Sequence, residues 1–251
     1  MAYTHRHGTV TFRGGHSEAW GRVSLPVLVG QMLAVLAAVL LFLVVWHHRG
    51  PLPGEVGLTL GVQHAILPTL FAGPIELVST IGWPIPAAIT IGLIVAVLLG
   101  LRRWLDALIL VPTAVATSLS NLYTADFVQR PRPQGHGIWI EQQVKNYFSF
   151  PSGHVVVVTA IWGFVFFLTF QSRHRAAAWL WIPRIIALTL ILVMPLSRVL
   201  EGEHWLTDVL EGFLYGVFWL LLAIQIYRFG SRRFPGLLST EERTPPGSAR
   251  A

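Results

Sequence analysis

The twelve residues from Ser197 to Asp208 read SRVLEGEHWLTD and place an arginine, a histidine and an aspartate close together in the chain. His204 and Asp208 stand four residues apart, so a helical segment would put them on one face. A carboxylate on one imidazole nitrogen fixes the tautomer and leaves the other nitrogen as a lone-pair nucleophile or base. Arg198, with Arg132 in the stretch RPRP, offers planar, permanently charged forks that bind phosphate oxygens bidentately. The stretch PSGH, residues 151–154, adds three further groups. Ser152 is a natural N-cap, Gly153 lets an anion approach the backbone, and His154 is a second imidazole. A helix beginning there directs unpaired N–H groups and the positive end of its dipole at that anion. These residue types are what phosphoryl transfer through a covalent phosphohistidine requires.

The elements that must position them are apolar. Of 251 residues, 53% are hydrophobic and 12% charged, against roughly 25% charged in a soluble domain. The apolar residues cluster into runs, which predicts an all-α polytopic membrane bundle of about six transmembrane helices, over 25–46, 84–101, 104–123, 153–171, 182–199 and 206–228. Residues 57–82 are interrupted by His64, Pro68, Gly73, Pro74 and Glu76 and are expected to be interfacial or half-inserted, with a seventh span as the alternative. The first run is expected to be a retained anchor, because 24 polar residues precede it and HHRGPLPG follows where a cleavage site needs small residues. The expected organisation is a cytoplasmic segment 1–24, a membrane domain 25–228 with its motif-bearing core at 84–228, and a disordered cytoplasmic tail 229–251.

With both ends cytoplasmic, 13 of the 18 arginines and lysines fall inside and 5 outside, a positive-inside bias that turns all three polar clusters outward. The net charge of +6 flanks the spans, which fits anionic headgroups rather than nucleic acid. With no cysteine in the chain, disulfides, iron–sulfur clusters and thiol catalysis are excluded.

The motifs resemble those of the type 2 phosphatidic acid phosphatase (PAP2) superfamily, metal-independent lipid phosphatases related to vanadium haloperoxidases. That family's pattern is a lysine followed seven residues later by Arg-Pro, then Pro-Ser-Gly-His, then Ser-Arg, five residues, His, three residues, Asp. The second and third elements match at 151–154 and at Ser197, Arg198, His204 and Asp208. The first matches at Arg132-Pro133, but the lysine position holds Ala125. The resemblance covers about residues 84–228. It implies that His204 is the nucleophile, Asp208 its orienting partner, and His154 the acid that protonates the leaving oxygen. It implies further that Arg132, Ser152, Gly153 and Arg198 hold the phosphate, with no cofactor and no metal. The implied substrate is a lipid phosphate or diphosphate of the phosphatidate, phosphatidylglycerophosphate or undecaprenyl diphosphate type. A phosphotransferase using the same site, or a weakened lipid-binding relative lacking the lysine, are the alternatives. Lys145, the one lysine of the chain, is a candidate replacement cation.

Other charged and aromatic residues have plainer expected roles. Arg130 should contact headgroups, Glu201 and Glu203 should be solvated, and Trp139 and Trp205 should join the interfacial aromatic belt. His5, His7, His16, His47 and His48 lack a coherent metal framework. Gly212 and Gly216, spaced as small-xxx-small, should pack helix against helix.

Overall fold

Backbone N–H and C=O groups have no water to bond in hydrocarbon, so apolar runs of this length can only be helices. A computed structural model describes residues 25–141, 148–172 and 174–237, and among them are eight α-helices and no strand. The expected N-terminal segment 1–24, Lys145, and the tail from 238 onward lie outside the described residues. The helices are α1 (Leu25–His47), α2 (Glu55–Ile66), α3 (Ala72–Ile81), α4 (Pro84–Gly100), α5 (Trp104–Val128), α6 (Gly153–Gln171), α7 (Trp181–Leu200) and α8 (Leu206–Arg233). Five helices are long and apolar enough to cross a membrane, or six if the bent pair α3–α4 counts as one span. The chain is an integral membrane protein with an all-α bundle.

Helix α6 is the hub, packed against α5, α7 and α8, while α1 lies along α8. Its contact with α8 depends on missing side chains. A Cβ at Gly212 would stand 2.8 Å from the Ser152 carbonyl oxygen, and one at Gly216 would stand 2.6 Å from Thr159 Cβ. The Gly212–Gly216 pair therefore does the packing its spacing predicts. The main apolar core joins Leu110, Ile161, Phe164 and Ala223 from α5, α6 and α8, and a second cluster joins Val155, Leu190, Met194 and Val209.

Two boundaries differ from the sequence expectation in ways that matter. Helix α5 runs five residues past 123, so Ala125 lies in its last turn, and α8 runs five residues past 228. Residues 57–82 form no long span but two short helices, of 12 and 10 residues. At 1.5 Å per residue neither crosses ~30 Å of hydrocarbon alone. The break between α3 and α4 is a 69° bend at Gly82-Trp83, where Pro84 starts the new helix. Helix α2 is fastened down by Gln63. Its amide donates to the carbonyls of Trp139 (2.7 Å) and Leu200 (2.9 Å), and its oxygen accepts the Trp139 N–H.

Candidate functional site

The loop after α5, the start of α6, the end of α7 and the start of α8 meet at one end of the bundle, with α2 and α3 closing over them. His204 lies in the turn between α7 and α8 and is buried. Its Nδ1 stands 2.7 Å from the carbonyl oxygen of Ser149 and 3.8 Å from Asp208 Oδ2. A carbonyl only accepts, so Nδ1 carries the proton and Nε2 holds the lone pair. The tautomer is thus fixed by Ser149 rather than by the hydrogen bond to Asp208 that the four-residue spacing suggested. The reason is local: α8 begins at Leu206, so His204 precedes the helix. Asp208 instead folds back to accept the Trp205 N–H at 2.8 Å, together with the Ser149 hydroxyl and the Arg130 guanidinium. Burial, reinforced by Arg132, pushes His204 down to about 4 against the pull of Asp208, so the ring is neutral at pH 7.

The two arginines among the phosphate-binding candidates are both paired with carboxylates, Arg198 buried and Arg132 half-buried. Arg132 Nη1 donates to the Glu203 backbone oxygen at 2.9 Å and to its carboxylate. Arg198 Nη2 is bonded to the Glu201 carboxylate and the Ser79 hydroxyl. Glu201 and Glu203 are therefore not solvated loop charges: each is 2% exposed. The turn that buries them needs Gly202, at φ +65°, because a Cβ there would collide with the Trp139 carbonyl. Burial pushes Glu201 up to about 7 while Arg198 pulls it down, and it raises Glu203 as well.

At the start of α6, Ser152 occupies the N-cap position, but its buried hydroxyl makes no capping bond and has no partner among the described residues. Its backbone N–H donates to the Asp208 carbonyl at 3.0 Å. The first amides of any helix lack an intrahelical acceptor, and here Gly153 opens them. A Cβ at Gly153 would lie 2.7 Å from the Asn121 amide nitrogen. His154 Nε2 is likewise buried without a partner among the described residues. Its ring meets Trp83 edge-on at 6.0 Å, and it lies within electrostatic range of Arg198, His204 and Arg132. Ser152, Gly153, His154, Arg132, Arg198, His204 and Asp208 are brought together. Ala125 is one turn past Asn121 on α5 and puts no charge into this space.

Arg130 overturns its expected headgroup role, since it is fully buried. It donates to Thr207 Oγ1 at 2.7 Å, Glu55 Oε2 at 2.7 Å, the Gly50 carbonyl at 3.0 Å, and Asp208. Glu55 also accepts from the Thr207 N–H at 3.0 Å, tying the start of α2 to the start of α8. Trp205 is no belt residue either. It is 2% exposed and donates from Nε1 to the Pro131 carbonyl at 3.1 Å. A glutamate opening a helix inside an apolar chain, as Glu55 does, was the available signal for this network. Nothing comparable marks Ser149, whose contribution is a carbonyl.

Three comparisons bear on this arrangement. A phosphatidylglycerophosphatase B from Bacillus subtilis is 29% identical over 121 residues, 46% of this chain and 55% of that protein. An undecaprenyl-diphosphatase from Sulfolobus acidocaldarius is 36% identical over 83 residues, 33% of this chain and 35% of that protein. The chain thus spans about half the length of the first of these curated relatives and about a third of the second. The crystal structure of a transmembrane PAP2-type phosphatidylglycerolphosphate phosphatase from Bacillus subtilis superposes with a TM-score of 0.64, covering 78% of this chain and 94% of that one at 20% identity, and so shares the fold. The model of the PAP2 superfamily matches residues 104–232, just over half of the 251 residues. That stretch contains all seven candidate site residues, and the chain belongs to the PAP2 superfamily.

Proposed function

We propose that the protein is a membrane lipid phosphatase that works through a phosphohistidine and takes its nucleophile and its positive charges from the chain itself. The observation that carries this reading is His204, a neutral imidazole whose Nδ1 proton is committed to Ser149. The same ring is under the field of Arg132 and Arg198. In the proposed reaction Nε2 of His204 attacks phosphorus, and the P–O bond to the lipid breaks. His154 gives its proton to the departing oxygen. Arg132, Arg198, Ser152 and the amides at Gly153 hold the three equatorial oxygens, whose charge grows in the transition state. Water then cleaves the P–N bond, and the proton it loses returns to His154. Asp208, held by Arg130, stabilises the positive charge that His204 carries while phosphorylated.

The arginine bias around the spans supports a site at the outer face of a cytoplasmic membrane, with both termini inside. The relatives act on phosphatidylglycerophosphate or undecaprenyl diphosphate by their names, and a lipid phosphate is the class proposed here. The test is orthophosphate release from a panel of purified lipid phosphates, with and without a chelator. His204→Ala should lower the rate by more than about 10³-fold, and wild-type enzyme quenched in alkali should retain labelled phosphate. Release that persists in His204→Ala, or that stops on chelation, overturns the mechanism.

A further inference from the structure

Beside Arg198 lies a cavity of about 460 Å³ lined by Glu76, Ser79, Thr80, Trp83, Glu141 and Glu201. Among the described residues no arginine, lysine or histidine lines it. Glu201 belongs to both places. Its Oε2 is bonded to Arg198 and Ser79, while its Oε1 is buried without a partner among the described residues, in a residue that is 2% exposed. Trp83, an aromatic face of the kind that attracts cations, stands in the wall and touches His154 edge-on. The cavity therefore adjoins the side of the site where the proposed acid meets the leaving oxygen.

We propose that this cavity is a subsite for a cationic group on the alcohol portion of the substrate, so that the preferred substrate is zwitterionic, a phosphate ester of a long-chain amino alcohol. This rests on the phosphatase reading above. The physical case is an exchange of partners. In the ligand-free protein Arg198 and Glu201 satisfy one another in a buried place. A substrate that brings only negative charge takes Arg198 and leaves Glu201 buried and unpaired, a costly arrangement. A substrate that brings a phosphate and an ammonium gives each residue a new partner. A leaving group that is itself a phosphate, or that carries one, meets Glu76, Glu141 and Glu201 together.

Proton linkage supplies a second consequence. The groups facing Glu201 are Arg198 from α7, Ser79 from α3, and Glu141 from the loop after α5. Glu201 is pushed up to about 7, so below that pH it is protonated and releases Arg198 at little cost. Above it, a purely anionic substrate must displace a carboxylate or bring a proton with it.

The experiment compares sphingosine 1-phosphate, with an ammonium two carbons from the ester oxygen, and its N-acetyl derivative, which lacks that charge. Both are presented in the same mixed micelles, and phosphatidate serves as a control. The expected result is a kcat/KM about tenfold higher for the amino ester, roughly the effect of one ion pair of moderate strength. The KM of the N-acetyl ester should rise as pH passes through about 7 while that of the amino ester stays level. The vicinal ammonium lowers the second phosphate pKa of the amino ester, so each KM is expressed per phosphate dianion before the two are compared. In the double variant Glu76→Gln, Glu141→Gln the ratio of the two kcat/KM values should fall towards one. Equal kcat/KM values in the wild type, or a ratio that survives the double variant, overturns the proposal. So does a result in which millimolar Mg²⁺ or Ca²⁺ makes the two esters equal, because the cavity would then hold a metal ion. Inertness of all three esters would remove the phosphatase reading itself, whereas equal turnover removes only the subsite.

Discussion

A backbone carbonyl has no proton to give, and that restriction does at His204 what a carboxylate would do less firmly. The ring can hold only the tautomer with Nε2 free, at every pH above about 4. His154 has the opposite character: its Nε2 is buried, without a partner among the described residues, and next to an aromatic ring. A group assigned to proton donation matters in proportion to how poor the leaving group is. His154→Ala should therefore lower kcat on a phosphate monoester by about 10²–10⁴-fold, since an alkoxide leaves badly. The loss on a polyprenyl diphosphate, which leaves as a phosphate, should be smaller. Parallel kcat measurements on the two substrates check this, and equal losses would contradict the division of labour between the histidines.

Among the elements, the bend between α3 and α4 does the least obvious work. Gly82 sits at the bend, and a Cβ there would collide with His154 Cδ2. Trp83 follows it against the same ring, so the bend forms the wall behind the proposed acid. Gly82→Ala should push the ring from its place and lower kcat about tenfold or more, because a displacement near 1 Å is enough to cost that much. The helices themselves should stay formed, which circular dichroism of the purified variant measures. The long helices were legible in the sequence because hydrocarbon leaves a run of this length only one conformation: α6 begins and ends where its apolar stretch does. The short pair α2 and α3 was legible only as an interruption. Their positions depend on Gln63 reaching carbonyls 76 and 137 residues away, and no local pattern encodes such partners.

Across the whole molecule, the same distinction separates the candidate site residues that could be read from those that could not. Arg132, Ser152, Gly153, His154, Arg198, His204 and Asp208 announce themselves by chemistry and spacing within short stretches. Arg130, Glu201 and Glu203 looked like ordinary membrane-surface charges, because a charge is recognisable as buried only once its partner is known. For Arg130 that partner is Glu55, 75 residues earlier in the chain. The ion pairs on Arg132 and Arg198 have a consequence for turnover. A carboxylate held beside its arginine by the fold competes at a local concentration that a free ion in solution reaches only at high dose. Once the lipid alcohol has left, orthophosphate keeps no tail to hold it, and Glu203 and Glu201 stand ready to take back their arginines. Inorganic phosphate should thus be a poor inhibitor, acting well above the millimolar range. Glu203→Gln should tighten its inhibition constant about tenfold, as read from initial rates against added phosphate. An unchanged constant would mean that Glu203 does not compete. On the proposed mechanism the carboxylates that pair with Arg132 and Arg198 would also eject the product, so that the resting pairing would be the last step of the cycle.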